Sequence, residues 1–129
     1  MSFQVYDERI ALTLVVNLTN ASGTAAVAAW TADTSTRRID AITIVSDDTV
    51  DRSVAVNINI SAADQKLVEV PVPAGSGTGI IPPVEVLHYL ALDNLPALII
   101  APSCTIRFNM VATLTAAKTV RIILWGGTF

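Results

Sequence analysis

The chain has 129 residues, a net charge of −3 and one cysteine, and it is 52% hydrophobic but only 15% charged. That length suits a single domain over residues 1–129. The charge balance argues against a nucleic-acid partner, which is held through clustered Lys and Arg, and one cysteine excludes an internal disulfide.

A charged fraction well under the usual ~25% leaves more apolar surface than a small core can hide, so an oligomer or a docked subunit is expected. The apolar runs are short and broken by Pro or Glu, against the ~20 residues of a spanning helix, so no membrane partner is expected. Met1 to Asp7 lacks the basic and apolar regions of a secretory leader, which predicts synthesis in a cytoplasm.

The stretch Met1 to Asn20 begins polar and turns apolar, and residues 1–8 read as an extended N-terminal arm reaching a neighbour. Ile10 to Leu18 reads as a strand, with Leu12, Leu14 and Val16 on one face and Thr13, Val15 and Asn17 on the other. Asn20 to Gly23 is a turn cluster. Thr24 to Thr31 contains Trp30 and is expected as a strand, though its alanines also suit a helix.

Ile39 to Val45 is apolar or β-branched at both parities, as in a strand covered on both sides. Val54, Val56, Ile58 and Ile60 alternate with Ser53, Ala55, Asn57 and Asn59, the pattern of a half-buried strand. The acidic stretch Ser46 to Arg52 lies between them and is rich in turn formers, so the two strands are predicted to form a β-hairpin.

Ser61 to Asp64 is a further turn. Lys66 to Val72 alternates again, and Pro71 places it at a sheet edge. Pro73 to Pro83 is a Gly- and Pro-rich loop read as a flexible surface connection, and Val84 to Leu90 is the one place where a helical turn is expected, with Pro83 near its first position. Asp93 to Pro96 is a turn, Leu98 to Ala101 a short strand, and Thr105 to Thr113 and Thr119 to Trp125 a final strand pair joined at Ala116 to Lys118. Eight or nine short strands with regular turns predict an all-β, antiparallel β-sandwich or barrel.

No catalytic constellation stands out. Asp47, Asp48 and Asp51 suit a hard cation by residue type but lack the Gly and terminal Glu of a calcium loop, and a solvated turn explains them equally. The Gly75-Ser76-Gly77-Thr78-Gly79 run is not followed by the Lys and helix of a phosphate cradle. His88 is the only histidine and has no second metal ligand nearby; Glu85, three residues earlier, offers a surface ion pair or a subunit contact. Cys104 reads as a small buried apolar residue near a strand start. No enzyme, cofactor or metal is therefore expected. The large side chains Trp30, Trp125, Phe129, Ile80 and Ile81 are the candidate interface anchors, and Trp125 beside Gly126 and Gly127 is also a candidate sugar platform.

The order of pieces from Asn20 onward resembles small virion proteins of tailed phages. The pieces are TNASGTAAVAAWTADTSTRRIDAITIVSDDTVDRSVAVNI, a strand ending VPVPAGSGTG, then PPVEVLHYLAL, and a last strand pair ending LWGGTF. The resemblance implies a jelly-roll-like sandwich acting as a particle component, with a capsid decoration (cement) protein as the favoured role. It implies the phage major capsid protein as partner and the virion surface as location. A trimer is the expected self-assembly, since small sandwiches close as cyclic oligomers. The alternative is a tail, neck or fibre component that binds a host receptor or glycan.

Overall fold

The computed structural model describes residues 10–90 and 98–128, with side chains from Thr13. The strands are β1 (Ile10–Thr19), β2 (Val27–Ala28), β3 (Arg37–Ser46), β4 (Arg52–Ile60), β5 (Ala63–Val72), β6 (Val84–Glu85), β7 (Leu98–Ile100), β8 (Thr105–Met110) and β9 (Thr119–Thr128). One helical turn, α1 (Val86–Tyr89), follows β6. The arm 1–8, the turn at Asp93 to Pro96 and Phe129 lie outside the described residues.

The strands form two antiparallel sheets. The first has the order β1-β9-β3-β6, with β7 also pairing β3; the second has the order β2-β8-β4-β5. The pairs nest: β1 with β9, β2 with β8, β3 with β6 and β7, and β4 with β5. This is the winding of a jelly-roll β-sandwich, in which a long folded ribbon of strand pairs wraps into two facing sheets.

That winding corrects the predicted central hairpin. β3 belongs to the first sheet and β4 to the second, so the acidic loop crosses between sheets rather than turning back within one. The Ala116 to Lys118 turn likewise carries the chain from β8 in the second sheet to β9 in the first. The hairpin lies instead at Ser61–Ala62, where Ile60 pairs with Ala63. Ser61 and Ala62 both have positive φ, 53° and 64°. A two-residue turn of that kind favours Asn-Gly, and each L residue with a side chain is strained there by about 1–2 kcal/mol. The double variant Ser61→Asn, Ala62→Gly is expected to stabilise the fold by about 1 kcal/mol, read as a higher urea midpoint at unchanged slope.

The core is the space between the inner faces. Leu18, Ile42, Ile44, Ile122 and Leu124 from the first sheet meet Val54, Val56, Val70, Ile106, Phe108 and Met110 from the second. The inner parity of β4 is as predicted, but the strand is not half-buried: Ala55 and Asn57 on its opposite face are buried as well, and Ile60 at its end is exposed. β3 is covered on one side only: Ile42 and Ile44 are buried, whereas Ala41, Thr43 and Val45 on the outer side are half-buried.

Pro71 sits in β5 at the edge of its sheet, where its missing N–H costs no ladder bond. Of the segment Thr24 to Thr31 only Val27–Ala28 is strand. The helical turn begins later than predicted: Glu85, not Pro83, caps it, its Oε1 accepting from the Leu87 amide at 3.1 Å and from the Ile42 amide of β3 at 3.2 Å.

Candidate functional site

The acidic loop is a structural clasp. Asp48 has a fully buried side chain. Its Oδ1 accepts from the Val50 amide at 3.1 Å and the Thr115 hydroxyl at 2.9 Å; its Oδ2 accepts from Arg52 Nε and the Thr115 amide, both at 3.0 Å. Burial pushes this carboxyl up, but the Thr115, Val50 and Arg52 hydrogen bonds outweigh it and hold the group down at about 2. Asp47 accepts from the Thr119 amide at 2.7 Å, and Asp51 from the Ala74 amide at 2.9 Å. The three carboxylates thus point to three different places, and among the described residues no group of three His, Cys, Asp or Glu converges as metal ligands would.

The glycine-rich loop is pinned to the same clasp, against the expectation of a flexible connection. Ser76 is buried, its carbonyl accepts from the Ser46 amide at 2.9 Å, and the Gly75 amide donates to the Asp48 carbonyl at 3.1 Å. Gly77 has φ +80°, and a Cβ there would lie 2.9 Å from Val45, so glycine is required.

Trp30 closes the other end. It is buried, donates from Nε1 to the Cys104 carbonyl at 3.3 Å and lies under the Arg37 guanidinium, 4.7 Å from the ring centre. Its contacts are internal, so it serves this chain's core and not an exposed face. Cys104 is half-buried against that core, just before β8. His88 is exposed and stacks edge-on with Tyr89; no ion pair joins it to Glu85, which is engaged with backbone amides.

The remaining candidates are exposed. Ile80 and Ile81 stand on the loop before β6, with Ile80 wholly in solvent. Ile81 borders an open groove of about 370 Å³ lined by Pro71, Pro73, Pro82, Pro83, His88 and Tyr89 among others.

A larger feature is the outer face of the first sheet. The register aligns Thr13, Trp125 and Ala41 in one row, Val15, Ile123 and Thr43 in the next, and Asn17, Arg121 and Val45 in a third. Trp125 is 40% exposed and Val15 53%. The rows grade from aromatic and aliphatic to polar: Arg121 donates to Asn17 at 3.3 Å and borders a shallow depression with Asp47 and Thr119. Glu85 pairs opposite Thr43 and also lines the proline groove, so the two apolar surfaces adjoin. An aromatic anchor, aliphatic neighbours and a charged rim are the anatomy of a protein contact. The sequence identified Trp125 but not Val15, Ile123 and Ala41 beside it; their outward parity was the available signal.

Among the described residues no helix is long and apolar enough to cross a membrane. No known protein family and no curated protein matches the chain. Among solved structures it is similar to the Drosophila NLP core, described for its pentamer formation and histone binding. The two share 16% identity and a TM-score of 0.47 over 91% of this chain and 97% of that one. A likeness that distant carries no argument about what this chain binds.

Proposed function

We propose that this chain is a non-enzymatic structural subunit of a tailed-phage particle. It acts as a capsid decoration protein that docks on the major capsid protein at the outer head surface and stabilises it. The observation that carries the reading is the outer face of the first sheet, where the exposed Trp125 and Val15 and the half-buried Ile123 form an apolar surface on a β-sandwich. Burying such a face on a lattice stabilises both partners, and many linked contacts make weak ones effective. The chain is made in the host cytoplasm and reaches the virion by this docking.

A second reading, a tail or fibre module that binds a glycan, draws on the exposed Trp125 ring beside Thr13. The two diverge in their partner. Trp125→Ala is expected to weaken co-sedimentation with capsids lacking the protein by at least tenfold, since central aromatic anchors are typically worth ~2 kcal/mol or more. Leu67→Ser, on the other sheet, should leave binding unchanged. Equal binding by wild type and the Trp125 variant would remove the face from the account; saturable binding to a sugar, lost in the same variant, would support the glycan reading.

A further inference from the structure

We infer that the outer edge of β1 is a self-association surface, and that its partner is β1 of a second copy, paired antiparallel about a two-fold axis. The proposal stands apart from the capsid reading, because it concerns the strand's edge and not the sheet's face.

Sheet edges present unpaired backbone N–H and C=O groups, and proteins ordinarily blunt them with short strands, charges, proline or bulges. Three of the four edge positions here are blunted. β5 carries Pro71, the charges Asp64, Lys66 and Glu69, and a bulge that leaves Leu67 without a partner. β2 has two residues. β6 and β7, at the far side of the first sheet, have two and three. β1 is the exception. It is ten residues long, contains no charge, proline or glycine, and runs in unbroken register with β9 from Ile10 to Thr19. Among the described residues, no strand pairs its other edge.

The strand is also complementary to itself. A two-fold axis through Val15 sets Thr13 opposite Asn17 and Leu14 opposite Val16. Parity is kept, so outward side chains meet outward ones and Leu14 and Val16 stay on the core side. Val15 then faces Val15, a β-branched pair of the kind that supports antiparallel strands. The first sheets of two copies become one continuous sheet, and their apolar outer faces join. An isologous contact of this kind closes at two subunits, so it predicts a dimer in place of the trimer expected from the resemblance.

The test is a charge-swap pair at Val15, whose exposed side chain can be replaced without opening the core. Wild type is expected at twice the 13.6 kDa chain mass by sedimentation equilibrium. Val15→Lys and Val15→Glu should each give the single-chain mass with unchanged circular dichroism, because like charges fall directly opposite. An equimolar mixture should regain the double mass. Wild-type amide exchange gives a reading that needs no variant: β1 amides should become more protected as protein concentration rises. A wild type at single-chain mass would overturn the inference. So would assemblies that survive in both variants, variants that fail to recombine, or β1 protection independent of concentration, as when a segment of the same chain covers the edge.

Discussion

Replacing Gly126 with alanine is expected to destabilise the fold by about 3 kcal/mol, at the upper end of overpacking costs. Gly126 lies in β9 opposite Ile39, next to the bulge that leaves Asp40 of β3 without a register partner on β9. A Cβ at this position would overlap the Arg38 carbonyl oxygen and lie 3.1 Å from the Ile39 Cα. Both are backbone, so no side-chain rotation relieves the clash, and β3 and β9 are neighbours in the middle of their sheet. A glycine inside a strand commonly marks such a close approach of two backbones. Gly79→Ala is the control: a Cβ there has nothing within 4 Å, and its effect should stay within ~0.5 kcal/mol. Urea unfolding of both variants decides the matter. A Gly126→Ala protein as stable as the Gly79→Ala protein would mean that the strands do not approach as described.

Replacing Asp48 with alanine is expected to cost about 3–5 kcal/mol, the range for removing one partner of a buried ion pair. The loss has several parts. Arg52 is left without its carboxylate, and the Thr115 and Val50 amides lose their acceptor. Thr115 stands 67 residues away in sequence, so the tie between the loop joining β8 to β9 and the loop joining β3 to β4 is weakened, with the Arg52–Thr115 and Asp47–Thr119 hydrogen bonds left to hold it.

The same residue sets an acid dependence. Its carboxyl has an ordinary value of 3.8 and is held at about 2 in the fold. A lowered value means that the unfolded chain takes up the proton first. The stabilisation is therefore complete above pH ~4 and is lost as pH falls through 2. Asp48→Asn should flatten that loss in a series of urea midpoints between pH 5 and 2. It should not abolish it, because the hydrogen bond from Arg37 also lowers the Asp33 carboxyl. A variant whose acid profile matched wild type would show that Asp48 is not the group responsible.

The alternation of Val54 and Val56 with Ser53 and Ala55 told which side of β4 faces the core, because the large apolar side chains fall at every second position; it did not tell that Ala55 and Asn57 on the opposite face are buried too. It could not tell which strand lies alongside. The stretch Asp47 to Asp51 is long enough either to turn back or to cross the roughly 10 Å between facing sheets, and its aspartates suit both paths. The true hairpin at Ser61–Ala62 lacks the Asn-Gly signal that would have revealed it. Pro71 was legible as an edge residue because a missing N–H has one consequence wherever it occurs.

The candidate site was legible only in part. Trp125 and Trp30 look alike in sequence, yet the Trp125 ring stands on the open face by its parity in β9, and the Trp30 ring lies under the Arg37 guanidinium, which Asp33 holds in place. The acidic loop invited a cation because most of its amide donors, on Thr115, Thr119 and Ala74, come from distant parts of the chain and are invisible locally. The apolar face itself is assembled from β1, β9 and β3, which are far apart in the chain and meet only through the nested winding.

The most direct test of the proposed role is co-sedimentation of the purified protein with phage capsids that lack it, read together with the capsid melting temperature. Saturable binding to assembled capsids, little binding to free coat protein, and a higher capsid melting temperature are expected. A folded protein that stays in the supernatant at saturating concentration and leaves the capsid melting temperature unchanged would contradict the proposed role.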